Sequence, residues 1–385
     1  MAFSAVLTLF VAFSTILADP IESSQGFSNA TLVKVKANMV TIATHSWEIG
    51  TALEALTELE WPALSVFHGA TPPTYLPTLD PASYLFAKVN AVVNNINKPA
   101  ATGPLVDGDG AVGDPASIGV PVLIVNLTRT NVSDHRFADA AKSQLEYLLT
   151  VAPRTQDGAI SHRASEVQLW ADFVYMAPPF IAYYGAVEGG DRGAALLAEA
   201  YKQCRLYRQH LRDESGLWKH VVLGSWQDNN HWATGNAWAA AGMLRVLETI
   251  ARSSQAGKFV AERADLVAWI SEILVHVWAF QHANGTLYNY IDQDTSFADT
   301  SSTALLGAVS IRYAQLTGDP VHLPNAYRAL KLVKESVNAD GWLLNTVDPM
   351  SFSTPSLPGK YSPEGQAFVL LLHSAWRDFE ASWSS

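Results

Sequence analysis

The chain has 385 residues, of which 49% are hydrophobic and 16% charged, with 12 Trp, 13 Tyr and 15 Phe. That apolar content excludes wholesale disorder and suits one large barrel or toroid, or two ordinary domains. Thirty-six Asp and Glu against 25 Lys and Arg give a formal charge of −11; with no dense basic run, a nucleic-acid partner is excluded, and the single cysteine, Cys204, rules out an intrachain disulfide framework or a Cys-cluster metal site.

Residues 1–18 are uncharged and apolar from Ala5 to Leu17. That stretch suits the core of a signal peptide and falls short of the roughly 20 residues a membrane span needs. Small Ala18 precedes polar Asp19-Pro20, but no positive residue occurs before Lys34, so a buried N-terminal helix is the alternative. Four N-x-[ST] sequons, at Asn29, Asn126, Asn131 and Asn284, agree with export. No later apolar run could span a bilayer, so the mature chain is expected to be secreted and to have no membrane partner. Its oligomeric state is not legible.

From about residue 25 to 385 the chain reads as one all-α domain. His45–Glu60 pairs with Tyr84–Asn97, and Asp114–Val125 with Phe137–Leu149. A turn then recurs four times: Asp157-Gly158 leading to His162, Ser215-Gly216 to His220, Asn284-Gly285 to Asn289, and Asp340-Gly341 to Asn345. Glycine supplies the left-handed geometry of a tight turn. Between the turns lie helical stretches: Val167–Ala186 and Ala194–Leu211, Gly235–Ser253 and Ala261–His282, Thr300–Leu316 and Pro324–Val337, and finally Pro363–Ser382. A repeating unit of two helices and a turn implies hairpins that bury their faces against neighbours. The total approaches six, so an (α/α)6 toroid is expected, with an open solenoid or two stacked bundles as alternatives.

Turns gathered at one end of such an array would line a common cleft. Asp172 is a lone carboxylate among Trp170, Phe173, Tyr175 and Met176. That setting disfavours the ionised form, as a general acid requires, although Asp is also a common helix cap. The loop Asp107-Gly-Asp109-Gly-Ala-Val-Gly-Asp114 does not reproduce a calcium-binding EF-hand, so no metal and no cofactor are assigned. Asp114 reads as a second active-site carboxylate or an N-cap. His231, Trp232, Thr234 and Trp238 open the most apolar helix, where the indoles could stack on sugar rings or fill the core. Trp47 lies near another helix start, and His220 closes a turn. Nucleophile-elbow, zinc-protease and P-loop motifs are missing. This acidic, aromatic profile points to an oligosaccharide substrate.

At these residues the sequence resembles the unsaturated uronyl hydrolases of glycoside hydrolase families 88 and 105, especially the unsaturated rhamnogalacturonyl hydrolases. The resemblance runs from about Trp47 to Phe379. It is carried by LWADFVYMAPPFIAYYG, HWATGNAWAAAGMLRVL, FADTSSTALLGAVSIRY and SPEGQAFVLLL in that order. It implies an (α/α)6 barrel and an enzyme removing a 4,5-unsaturated uronic acid from the non-reducing end of lyase-generated oligosaccharides, of pectin, rhamnogalacturonan or glucuronan type. Asp172 matches the proton donor of the D-x-x-Y-M motif, and Asp114, five residues before Gly119, the second aspartate. Trp47 matches an aromatic near the N-terminus, and His220 and Trp238 match residues lining the sugar subsite. Where the family commonly has Arg before Gly-Asn-x-Trp, this chain has Thr234; Arg163, Lys219 and Lys360 are the candidate replacements. An ordinary exo-uronidase or glycosidase acting on saturated sugars, and a non-catalytic carbohydrate-binding relative, are the competing readings.

Overall fold

The computed structural model describes residues 26–96 and 102–383; the expected signal peptide, residues 1–18, lies outside them. Fourteen α-helices follow one another: α1 (Asn29–Ile42), α2 (Ser46–Glu60), α3 (Tyr84–Asn94), α4 (Gly113–Ala116), α5 (Gly119–Thr128), α6 (Arg136–Glu146), α7 (Phe173–Met176), α8 (Pro178–Glu188), α9 (Gly190–Leu211), α10 (Ala233–Arg252), α11 (Val260–Trp278), α12 (Thr300–Thr317), α13 (Leu323–Ser336) and α14 (Pro363–Trp383). Four short strands pair in twos: β1 (Gln168–Trp170) antiparallel to β2 (Val221–Leu223), and β3 (Leu287–Tyr288) to β4 (Ala298–Asp299).

Hydrophobic pattern sorts the long helices into two layers. In α10 every residue from Ala233 to Ile250 is buried, and α5, GVPVLIVNLT, is apolar all round. A helix without a polar face must be covered on all sides. In α13 only Leu323, Ala326, Ala329, Leu330 and Val333 are buried, a single stripe. Inner helices α2, α5, α8, α10, α12 and α14 each touch the next, and α14 returns to α2, so the ring closes. Outer helices α3, α6, α9, α11, α13 and α1 pack behind them. The fold is the expected (α/α)6 toroid.

Two expected boundaries differ. The partner of α14 is α1, at the other end of the sequence. The stretch expected as one helix over Val167–Ala186 is broken into β1, the single turn α7, and α8. Pro178 and Pro179 fit only the first turn of a helix, and Gln168–Trp170 have strand partners in Val221–Leu223.

The recurring glycines behave as the repeat demands: Gly158, Gly216, Gly285 and Gly341 have φ of 95°, 83°, 95° and 85°. Two residues beyond each glycine, a backbone N–H donates to a helix side chain: Ile160 to Gln203, Trp218 to Asn236, Leu287 to Thr303 and Leu343 to Gln366. The turn segments then lead back to the N-terminal ends of the inner helices. Near the other end, Arg245 bonds Glu54 at 2.9 Å and also Glu58, while Arg312 bonds Glu58 at 2.9 Å and Asp378 at 2.7 Å. These buried pairs tie α2, α10, α12 and α14 together.

Gly242 in α10 faces the turn α7: a Cβ there would lie 2.1 Å from the Val174 carbonyl oxygen. Backbone cannot yield as a side chain can, so Gly242→Ala is expected to lower the unfolding free energy by about 1–3 kcal/mol in denaturant titration.

Candidate active site

Backbone pairing between turn segments assembles the site. β1 and β2 run antiparallel with Trp170 opposite Val221, and the Ala171 N–H donates to the His220 carbonyl at 2.9 Å. Asp172 and His220 are thereby held side by side. Likewise the Val112 N–H donates to the His162 carbonyl at 2.7 Å, and the Ala164 N–H to that of Gly110 at 3.0 Å. This brings the loop bearing Asp114 against His162. The two single-turn helices α4 and α7, which carry or follow Asp114 and Asp172, pack on each other.

Neither aspartate is a cap. Asp172 stands before Phe173 but makes no capping bond, and Asp114 lies inside α4. The Asp172 side chain keeps 15% of its surface exposed, and its Oδ2 lies 3.5 Å from Nε2 of buried His220. Asp114 keeps 13%, with Oδ1 3.6 Å from His162 Nε2. Burial, then the charges of Asp109 and Asp172, push the Asp114 carboxyl well above the usual carboxylate range, while Arg163 opposes this. Burial brings His162 down to about 4, so its ring is neutral. For His220, burial works against the charged ring, but Asp172 and Asp228 together outweigh it and raise its pKa.

Aromatic rings surround these groups. Trp170 stacks on His162 at 5.0 Å and meets His220 and Trp226 edge-on, each at 5.3 Å. Trp232 lies 4.6 Å and Phe352 4.5 Å from His220. The Gln168 side chain fixes two of them, accepting the Trp170 indole N–H at 2.8 Å and donating to the Trp226 carbonyl at 2.7 Å. Trp226, 41% exposed, offers an open face. Across the ring seam the Trp47 indole N–H donates to Glu364 Oε1 at 2.5 Å. Burial raises Glu364 well above its usual range, reinforced by Glu48 and, more weakly, by Asp172 and Asp114.

The structure thus brings together Asp172, Asp114, His220, Trp232 and Trp47. It does not bring the other candidates to this face. Trp238 is 1% exposed and packs between Tyr175 at 4.4 Å and Phe368 at 4.8 Å, as a core residue. Thr234 is fully buried, and its hydroxyl donates to Asp299 Oδ2 at 3.0 Å. Asp299 in turn caps α12 through the Ser301 and Ser302 N–H groups. Both ring nitrogens of His231 are taken, at 2.8 Å each, by Asp292 and Asp213. Arg163, half-buried, lies with its guanidinium against Gly110 and has no carboxylate partner among the described residues. Lys219 is half-buried and Lys360 exposed. Sequence reasoning passed over His162, Asp228, Glu364, Trp226 and Phe352. His162 stood in a recurring turn and Glu364 in the SPEGQ segment; Phe352 lies in a loop after Val347, where its carbonyl accepts from the Asn289 side-chain amide at 3.0 Å.

The glycosyl hydrolase family 88 model matches residues 34–358, most of the chain. The chain belongs to that family. It is 22% identical over 235 residues to the unsaturated rhamnogalacturonyl hydrolase YesR of Bacillus subtilis, a match covering 58% of this chain and 63% of that protein, so somewhat under two thirds of that relative is spanned. Among solved structures, a possible member of family GH105 from Salmonella enterica superposes with a TM-score of 0.71 at 18% identity, covering 97% of this chain and all of that one. The unsaturated glucuronyl hydrolase of Bacillus sp. GL1 superposes with a TM-score of 0.57 at 13% identity, covering 89% and 93%. At such identities the structures share the fold.

Because the Thr234 hydroxyl serves Asp299, Thr234→Val is expected to cost about 1 kcal/mol of stability and to leave KM for the substrate unchanged, as checked by thermal unfolding beside steady-state kinetics.

Proposed function

We propose that this chain is a hydrolase of oligosaccharides that carry a 4,5-unsaturated uronic acid at the non-reducing end. The observation that carries the proposal is Asp172: a partly buried carboxylate whose Oδ2 has no hydrogen-bond partner among the described residues, set among indole rings and facing an imidazole. The unsaturated rhamnogalacturonyl hydrolase activity for which the Bacillus subtilis relative is named supports the same reading.

The C4=C5 bond of such a sugar is a vinyl ether, conjugated to the ring oxygen. Protonated Asp172 gives its proton to C4, and positive charge develops at C5 and the ring oxygen. The resulting Asp172 carboxylate takes a proton from water as the hydroxyl adds to C5. The hemiketal opens, and the hemiacetal left at C1 releases the adjoining sugar, with one water consumed in all. No nucleophile attacks C1, so the carboxylate spacing of ordinary glycosidases does not govern this site. Asp114, inclined toward its neutral form, donates to a substrate hydroxyl, and Trp47 and the open face of Trp226 bound the sugar's apolar faces, with buried Trp232 backing His220. A uronate entering a site rich in carboxylates needs an opposing charge. Arg163, with no acidic partner among the described residues and acting electrostatically on both Asp114 and His162, supplies the charge that Thr234, standing where the family commonly has Arg, does not. Pectin, rhamnogalacturonan and glucuronan fragments are the proposed substrates.

Export belongs to the same proposal: three of the four sequon asparagines, Asn29, Asn131 and Asn284, are exposed. On lyase-digested pectin or glucuronan, the protein is expected to remove the ultraviolet absorbance of the unsaturated uronide. Asp172→Asn should lose about 10²–10⁴-fold in rate with the fold intact. Full turnover by a folded Asp172→Asn protein, or reducing ends released only from saturated oligosaccharides, would overturn the proposal.

A further inference from the structure

Beyond His220, on the side away from Asp172, lies a further carboxylate, Asp228, whose two oxygens are both engaged by protein donors. Asp228 and Val221 exchange both backbone hydrogen bonds, at 2.9 and 3.0 Å, which fixes Asp228 beside the β1–β2 pair. Its Oδ1 accepts from the Asn230 backbone at 3.1 Å and from the Asn230 side chain at 2.6 Å. Oδ2 is left for His220 Nδ1, 3.0 Å away. Burial disfavours the Asp228 charge, but bonds from His220 and Asn230 prevail and hold its carboxyl below the usual range.

A carboxylate only accepts, so His220 Nδ1 must carry a hydrogen. The other ring nitrogen then faces Asp172. His220 Nε2 and Asp172 Oδ2 are both buried, 3.5 Å apart, and neither has a hydrogen-bond partner among the described residues. With no proton between them, a nitrogen lone pair would face a carboxylate oxygen, a repulsive arrangement in a desolvated place. One proton, on either atom, removes the repulsion. The ring cannot easily turn away, because Trp170, Trp232 and Phe352 wall it in. The titratable groups facing it are Asp172, Asp228 and, at longer range, His162.

We propose that Asp228 is a positioning residue: through His220 it fixes the imidazole orientation so that one transferable proton is held between His220 Nε2 and Asp172 Oδ2. This rests on the function proposed above, in which Asp172 hands that proton to C4. Water restores it to the pair as its hydroxyl adds to C5, so proton count and charge return to their starting values. Asp228 stays ionised throughout and touches no reacting atom.

Two measurements test this separately from the function. In the full-length protein labelled with ¹⁵N-histidine, NMR is expected to show His220 Nδ1 protonated at neutral pH. A neutral ring with its hydrogen on Nε2 would overturn the inference whether or not the protein hydrolyses unsaturated uronides. Kinetically, Asp228→Asn removes the charge that favours the protonated ring, so the shared proton leaves at lower pH. The basic limb of the kcat/KM profile should move acidward by about one pH unit, with kcat down roughly tenfold to a hundredfold, KM little changed, and Asp228→Glu recovering part of the loss. A lower melting temperature with an unmoved basic limb would make Asp228 merely structural. An inactive wild type would instead count against the proposed function, leaving the NMR result to decide the proton's position.

Discussion

The contact of α14 with α2 is the constraint on which the rest depends. Six parallel inner helices make a closed wall only when the last meets the first, and the turn segments then converge on one end of it. The seam is bonded at both levels. At the site, Trp47 of α2 donates to Glu364 of α14. Near the other end, the Arg377 guanidinium of α14 donates to the Glu58 and Leu59 carbonyls of α2 at 2.9 and 3.0 Å. Packing fixes the wall, and the wall fixes which turn residues can meet: Asp114 enters from the α4 side, Asp172 from the α7 side, and Glu364 from the seam.

Convergence concentrates acid. Asp109, Asp114, Asp172, Glu48 and Glu364 lie within electrostatic reach of one another. Like charges so placed cannot all ionise in a desolvated setting. Some are committed to structure: Glu48 accepts from the Thr44 and His45 N–H groups at 2.7 and 2.8 Å, and Asp109 accepts from the Ser46 hydroxyl at 2.5 Å. Asp114 and Glu364 are driven toward neutrality. The arrangement sets carboxyls inclined toward their neutral form beside an imidazole and a guanidinium with no acidic partner among the described residues, which is what the proposed acid catalysis on a small anionic sugar requires.

The ring was legible because each hairpin carries its own punctuation. Gly158, Gly216, Gly285 and Gly341 need left-handed backbone, a demand visible in sequence, and the helices between them show either continuous or one-sided apolarity. The helix α1 escaped notice because it buries only Leu32, Val35 and Met39 and turns Lys34 outward; its place is set by α14, more than three hundred residues away. Asp172 and Asp114 stand out in the sequence through their aromatic and glycine-rich surroundings, and the structure places them near each other. Trp238, Thr234 and His231 face other partners because proximity in sequence to Trp232 says nothing about direction: on α10, buried all round, Trp238 packs on Phe368 and Thr234 bonds Asp299, while His231, just before the helix, is held by Asp213 and Asp292. Asp228 and Phe352 gave no local signal, since each matters only through a neighbour supplied by chain pairing.

The central claim is that the hydrogen goes to a ring carbon and the water to C5, with C1 never attacked. Turnover of an unsaturated disaccharide in D₂O containing ¹⁸O-water, with the released uronate followed by NMR and mass spectrometry before exchange, tests it directly. The account predicts a single deuterium at C4, read before enolisation adds a second, and ¹⁸O at the C5 carbonyl. Oxygen-18 at C1 with no deuterium at C4 would contradict it.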